Sequence, residues 1–532
     1  MEGKVLSPWE ARSREEAQAM GGSFWSFAER EPSRLALVDS SGRRFTRGDL
    51  LARSRRLIHG LRARGLRPGD AVAAVLPNSV EAIELYLATA AAGWYLVPIN
   101  FHFVGPEIAH ILADAEARLL VAHERFAQSC AAAVAELSWP SDRCFAVGNV
   151  PGFTSYRELS RGQPDSTPSG ATAGRVMHYT SGTTGRPKGV RRPLPGVPPE
   201  AFGWSQMVET YRLDPGLDHV HLCCTPWYHT APMVFLTGSL HAGHAIVLMD
   251  RFSPEGMLEL IERYRVTHTL MVPTQFVRLL ALPEATKRRY DLSSLTRAVH
   301  GAAPCPPEVK RRMIEWWGPV ITEYYASTEG GGTVVFAEEW LRKPGTVGRP
   351  FPGAEIVIMD DHGNRLPPGE VGVVYFRVSP EGFEYLKDPE MTAAGRRGAY
   401  ATVGDVGYLD QDGYLFLCDR RSEMIISGGV NIYPAEVEAV LLTHPAVRDA
   451  AVFGIPNDEW GEEVKAAIEP AEDVVPDDKL AEAILEHCRG RLARYKIPRS
   501  IDFVDAMPRD PSGKLYRRKL RDPYWAGRER AI

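Results

Sequence analysis

Residues 179–190 read YTSGTTGRPKGV, a run of hydroxyls and glycines with one lysine near its end. Glycines let backbone N–H groups approach an anion closely, and serine and threonine hydroxyls add donors to the same space, so the chemistry on offer is phosphate binding. The ordinary nucleotide P-loop does not fit. That motif needs G-x-x-x-x-G-K-[ST], whereas the residue five after Gly182 is Pro187 and Lys188 is followed by Gly189. Two readings stay open: a second phosphate-holding design, or a solvated loop of small polar residues. Other residues suited to chemistry sit in short stretches further on. They are His229 in PWYHTAP (226–232), the turn GAAPCP (301–306), Thr328 and Glu329 in YYASTEG (324–330), and Asp405 in TVGDVGYLDQDGY (402–414). Arg420 follows in DRRSEMIISGGVNIYPAEVE (419–438), and Lys514 in PRDPSGKLYRRKL (508–520). Singly, each has a plain structural reading: a core histidine, a surface carboxylate, an aspartate solvated in a turn, a solubilising lysine.

These residues need elements to hold them. β-Branched runs alternate with helical patterns in DAVAAVLP, SVEAIELYLATAAAG, WYLVPIN, PEIAHILADA and ARLLVAH. That alternation predicts α/β layers with largely parallel sheet. The stretch SRGQPDSTPSGATAG (160–174) reads as a connection, and the glycine-rich loop follows directly after the strand-like RVMHYT. Further on come strand-like TRAVH, the helix PEVKRRMIEWWG with proline near its start, and strand-like PVITEYYA. Two strands thus end near Gly301 to Pro304 and Tyr325 to Glu329, and ligands in open α/β sheets gather at the carboxyl ends of strands. After Asp419 the pattern becomes a smaller α+β arrangement, AEVEAVLLTH, DAAVFG, EVKAAIEP, DKLAEAILEHCRGRL and SIDFV. The expected division is a large domain over 1–419 and a small one over 420–532.

The whole chain has 532 residues, 44% hydrophobic and 24% charged, ordinary values for a globular protein with large cores. Its net charge of −5 gives no general attraction for nucleic acid or an anionic membrane. Seven cysteines without C-x-x-C spacing suggest neither a zinc site nor a disulfide framework, and fit a reducing cytoplasm. The charged N-terminal stretch reads as no signal peptide, and the most apolar window, from Ala82, contains Glu84 and Pro98 and reads as a buried element rather than a membrane span.

Taken together and in order, these stretches closely resemble the adenylate-forming superfamily of acyl-CoA synthetases, luciferases and nonribosomal peptide adenylation domains, over essentially the entire chain. The resemblance implies an α/β fold: a large N-terminal domain of layered sheets and helices with a small mobile α+β C-terminal lid. It implies two-step chemistry, in which a carboxylate attacks the α-phosphate of ATP, pyrophosphate leaves, and a nucleophile then displaces AMP. Thr180, Ser181, Gly182, Thr183, Thr184, Gly185 and Lys188 match the family's pyrophosphate loop. Thr328 and Glu329 match its T-E pair, a hydroxyl for the α-phosphate and a carboxylate for Mg²⁺. Asp405 and Arg420 match the ribose ligands; Gly301, Ala302 and Ala303 match the turn against adenine, with Tyr325 a candidate to stack on the base.

Lys514 matches the lysine that the lid brings onto the α-phosphate and substrate carboxylate, and His229 matches a gate beside the acid pocket. Amino-acid-activating relatives have aspartate at that gate position, so histidine argues against α-amino acids. Ser422 stands at the hinge, where the family usually has Asp or Lys, and Gly428 and Gly429 match the loop lining the pantetheine tunnel. VPTQF (272–276), Ala231, Met233 and Gly330 to Gly332 are candidates to line the acyl pocket. The implied partners are ATP, Mg²⁺, a small carboxylic acid and CoA as acceptor, with a carrier protein as the alternative acceptor and a homodimer permitted. Luciferase-type oxygenation, nitrite activation and a silent nucleotide-binding protein are the competing readings, the last disfavoured because Lys514 and Glu329 are both present.

Overall fold

The computed structural model describes residues 23–181, 187–202, 210–216, 218–378, 382–420, 423–427, 430–457, 460–489, 491–509, 513 and 515–526. Among the residues singled out above, Gly182, Thr183, Thr184, Gly185, Ser422, Gly428, Gly429 and Lys514 lie outside these, and at Thr180, Ser181 and Arg420 the description stops at the backbone. The chain forms two compact units, one of Met1–Met271, Ala281–Val299 and Ser379–Ala394, the other of Val272–Leu280, His300–Val378 and Gly395–Ile532.

The first unit contains the parallel layers expected from the alternating pattern. Six strands run parallel in the order Thr154–Ser155, Cys144–Val147, Ala117–His123, Ala71–Val75, Tyr95–Pro98 and Arg175–Val176. All five residues of Ala71–Val75 are buried, as a strand covered on both faces requires. In a second layer His268–Met271, Val220–Cys223, Ala245–Leu248 and Leu35–Val38 are parallel neighbours, and Arg44–Thr46 closes the edge antiparallel. Helix Val80–Ala92 starts where the Ser79 hydroxyl accepts from the Ala82 N–H and ends on Gly93 at φ 72°. It is buried almost all round, Glu84 included, and that carboxylate pairs with Arg53 and accepts from the Tyr156 hydroxyl at 3.3 Å. Burial pushes its carboxyl up to about 7.

The second unit is mainly antiparallel. Ile321–Ala326 pairs with Gly332–Phe336, which pairs with Arg349–Pro350. A six-stranded sheet is built on Gly372–Arg377 and includes the hairpin Asp405–Leu409 with Leu415–Arg420. A five-stranded sheet centres on the long hairpin Val447–Asn457 and Gly461–Pro470, with Ser500–Phe503 added parallel at its side. Helices Pro434–Leu441 and Asp478–Arg489 supply Val437, Leu441, Ile484 and Cys488 to a core with Ile425, Val452 and Ile468. Among the described residues no helix is long and apolar enough to cross a membrane.

Candidate active site

The described stem of the glycine-rich loop is a short antiparallel hairpin in which His178–Ser181 pairs with Pro187–Arg191, so that Lys188 stands opposite Thr180 and Pro187 opposite Ser181. Several side chains pin this stem. The Tyr179 hydroxyl donates to Asp114 at 2.8 Å, the His110 ring bonds the Pro187 carbonyl at 3.0 Å, and the Tyr95 hydroxyl donates to the Arg192 carbonyl at 2.8 Å. Glu384–Tyr385 adds a third strand against Val190 and Arg191. The Lys188 ammonium donates to Asp388 Oδ2 at 2.9 Å.

His229 is the half-buried residue immediately before helix Thr230–His241, and the Met233 N–H donates to its carbonyl. The turn leading to it is clamped from elsewhere in the first unit. Asn78 is buried and spends its whole amide on this region: Nδ2 donates to the carbonyls of Thr225 and Met249 at 3.0 Å, and Oδ1 accepts from the Trp227 N–H at 2.9 Å. The Trp227 indole N–H donates to the Leu76 carbonyl at 2.7 Å. His178, from the loop stem, hydrogen-bonds the Tyr228 backbone, and burial pushes its imidazole down to about 3, so it is neutral. The rings of Tyr228 and His229 lie 4.4 Å apart, and Phe101 meets Tyr228 edge-on at 4.8 Å.

In the second unit, expected nucleotide ligands far apart in sequence come together. Asp405 and Arg420 are direct cross-strand partners in their hairpin. The Tyr325 hydroxyl donates to Asp405 Oδ2 at 2.6 Å across 80 residues of chain. The sequence offered only the ring of Tyr325; its hydroxyl makes a polar contact besides. Gly301 lies so close to the next strand that a Cβ would sit 2.5 Å from the Tyr324 ring, and Ala302 adopts φ 66°, a left-handed conformation that costs a non-glycine residue roughly 1–2 kcal/mol. Thr328 and Glu329 lie in a turn closed by the Ser327 hydroxyl, which donates to the Gly330 carbonyl at 2.8 Å and accepts its N–H at 3.2 Å.

The three glycines beyond that turn have little space to offer. A Cβ on Gly331 would overlap Phe376, and one on Gly332 would sit 2.5 Å from Phe351 and 2.6 Å from the Tyr325 carbonyl; only Gly330 borders open space. Their first role is to bring the chain back into the antiparallel strand that starts at Gly332. The PSGK turn enters the description through Gly513, φ 84°, whose added Cβ would meet Thr274. Arg509 donates to the Gly513 carbonyl at 2.8 Å and grips Asp449 through Nε at 2.6 Å and a terminal nitrogen at 2.8 Å.

Asn78, Asp388, Ser327 and Arg509 were not singled out from the sequence. Asp388 sits in KDPEMT, whose Asp-Pro pattern signals a helix start, and Asn78 in LPNSVE, where Ser79 is the cap. Neither pattern announces a distant partner.

The family model for AMP-binding enzymes matches residues 24–381, and that for the AMP-binding enzyme C-terminal domain matches residues 436–514. The chain is 32% identical over 520 residues to the fatty acid–[acyl-carrier-protein] ligase ScoC of Streptomyces coeruleorubidus, covering 95% of this chain and 96% of that one. It is 34% identical over 489 residues to a feruloyl-CoA synthase of an Amycolatopsis species, covering 91% and 95%. Among solved structures, the amide bond synthetase McbA from Marinactinospora thermotolerans superposes with a TM-score of 0.80 at 30% identity, covering 96% of this chain and 99% of that one. With family models over most of its length and a relative 32% identical across 95% of it, the chain belongs to the AMP-binding enzymes of the adenylate-forming superfamily.

Proposed function

We propose that the protein activates a carboxylic acid with ATP, forming an acyl-adenylate with loss of pyrophosphate, and then transfers the acyl group to the thiol of CoA with loss of AMP. The observation that carries this reading is the Tyr325 to Asp405 hydrogen bond of 2.6 Å, which joins the strand before Thr328 and Glu329 to the hairpin pairing Asp405 with Arg420. In this reading Thr180 to Gly185 and Lys188 hold the β- and γ-phosphates, Gly301 to Ala303 and Tyr325 hold the adenine, and Asp405 and Arg420 hold the ribose. Thr328 donates to the α-phosphate, where negative charge concentrates as the carboxylate oxygen approaches phosphorus. Lys514 brings a point charge to the same oxygens, and His229 borders the acid. The domains divide at 419/420, with Ser422 as hinge and Gly428 and Gly429 beside the pantetheine arm.

Among the described residues no cluster of three or more His, Cys, Asp or Glu is placed to hold a metal. One carboxylate, Glu329, beside one hydroxyl suits magnesium, which takes its other ligands from phosphate and water. Bound there, the ion would neutralise phosphate charge. The reading is of a cytoplasmic enzyme, since ATP and CoA are its co-substrates.

A second reading keeps the first step and changes the acceptor. The resemblance to ScoC favours a carrier-protein thiol, and that to McbA an amine. The deciding experiment measures pyrophosphate and AMP release from ATP and Mg²⁺ over medium-chain, aromatic and polycyclic acids, with CoA, holo carrier protein, an amine or no acceptor, and with nitrite as a separate arm. AMP release requiring both an acid and CoA is expected. Release that ignores CoA overturns the second step, and release with nitrite alone overturns the acid.

A further inference from the structure

Lys188 has a counter-ion of its own. Its ammonium donates to Asp388 Oδ2 at 2.9 Å and lies 2.9 Å from the Met391 sulfur, and its side chain is only 17% exposed. Asp388 is built into its turn. Its Oδ1 accepts from the Met391 N–H at 2.9 Å, its N–H donates to the Tyr385 carbonyl at 3.1 Å, and its carbonyl accepts from the Thr392 hydroxyl at 2.9 Å. The segment carrying it is fastened to the lysine's own strand, because Tyr385 and Glu384 pair with Val190 and Arg191 and the Leu386 N–H donates to the Gly189 carbonyl at 2.8 Å. The spacing of ammonium and carboxylate is therefore set by strand pairing rather than by two wandering side chains.

A lysine is a compact point charge with three donors. With a fixed carboxylate at contact distance, any second anion brought to it meets the attraction of Lys188 and the repulsion of Asp388 together. The Lys188 hydrogen bond also holds Asp388 below the usual carboxylate range, so its charge is present at neutral pH. We propose that Asp388 is a positioning residue that competes with the β- and γ-phosphates for Lys188, weakening the hold on the nucleoside triphosphate and on departing pyrophosphate. The inference rests on the reading of Lys188 as a triphosphate ligand. It gives the first half-reaction a means of releasing its product, since tight binding shared by substrate and product raises no rate.

Asp388→Asn removes the charge and keeps an acceptor for the Met391 N–H; Asp388→Ser, which also caps a helix start, is the second variant. Both are expected to lower KM for ATP roughly two- to fivefold, the worth of a partly exposed ion pair, and to lower the pyrophosphate concentration that inhibits, without raising kcat for adenylation. In a Lys188→Met background, which itself raises KM for ATP, the same substitutions should change nothing. An unchanged or higher KM in the Asp388 variants overturns the proposal, and so does an equal fall in the Lys188→Met background, because Asp388 would then act through another group. If Lys188→Met handles ATP as the unaltered enzyme does, the assignment of Lys188 fails and the proposal falls with it. That outcome is distinguishable because it needs no Asp388 variant.

Discussion

At the scale of single residues, what matters is how a reactive side chain is held by a less conspicuous one. Asp405 has Tyr325 as a donor at 2.6 Å, and the hydroxyl is the only group lost in Tyr325→Phe. The ring and its packing stay, so the substitution isolates the hydrogen bond. We expect KM for ATP to rise roughly fivefold, about 1 kcal/mol, with adenylation turnover little altered. Steady-state kinetics with varied ATP would show this, and an unchanged KM would mean that Tyr325 serves the nucleotide through its ring alone. Asn78 follows the same logic, since two of its three backbone bonds hold Thr225 and Trp227 in the turn before His229 and the third ties that turn to Met249.

At the scale of elements, the turn bearing Thr328 and Glu329 is shaped by the strand that comes after it. Strand Ile321–Ala326 reverses into Gly332–Phe336 within a few residues, and the backbone manages this with three successive glycines at φ 130°, 72° and 155°. Gly331→Ala would place a Cβ onto Phe376 in a left-handed conformation. The expected loss is about 1–3 kcal/mol of stability, from overpacking and backbone strain together. Chemical denaturation monitored by tryptophan fluorescence measures it, and stability equal to that of the unaltered chain would contradict the tight contact. The glycine run, named from the sequence as a candidate lining of the acyl pocket, meets here the demands of chain reversal. The sequence shows three small residues after Glu329 but not which side of the backbone is occupied.

At the scale of the whole molecule, the first unit carries an unusual load of buried imidazole. His219, His221, His244 and His268 form one cluster: His221 stacks on His268 at 5.0 Å, and His244 meets His268 at 5.2 Å and His219 at 4.9 Å. Hydroxyls of Ser239 and Thr267 bond the His268 ring, and His244 bonds the Asp214 carbonyl. Burial pushes His221 down to about 3 and His219 down to about 4, and it lowers His244 and His268 as well. Nearby, the Phe24 N–H donates to His241 Nδ1, and burial pushes that ring down to about 3. All these folded-state values lie below the unfolded value near 6.5, so between about pH 6.5 and the folded value the unfolded chain binds more protons. The contribution of these histidines is therefore full above about pH 6.5 and falls with acidity, by up to roughly 1.4 kcal/mol per pH unit for each, against which the raised carboxyl of Glu84 works in the opposite sense. Urea midpoints measured from pH 7.5 to 4.5 should be level at first and then drop steeply. A level profile down to pH 4.5 would refute the buried neutral state of the cluster.

The sequence by itself determined the family, the order of the motifs and most of the elements that carry them. These depend on short-range signals: the apolar runs of Ala71–Val75 and Ala117–His123, the Ser79 cap and Gly93 stop of one helix, the prolines that open others. The tertiary structure decided the partners. Lys188 meets Asp388 across 200 residues, Asn78 reaches Met249 across 171 and Trp227 across 149, and Tyr325 reaches Asp405 across 80. A periodic pattern tells which face of an element is buried, but not which distant side chain that face will meet. That choice is made when sheets and turns bring remote stretches within hydrogen-bond reach, and there an ordinary helix-starting aspartate becomes the counter-ion of Lys188.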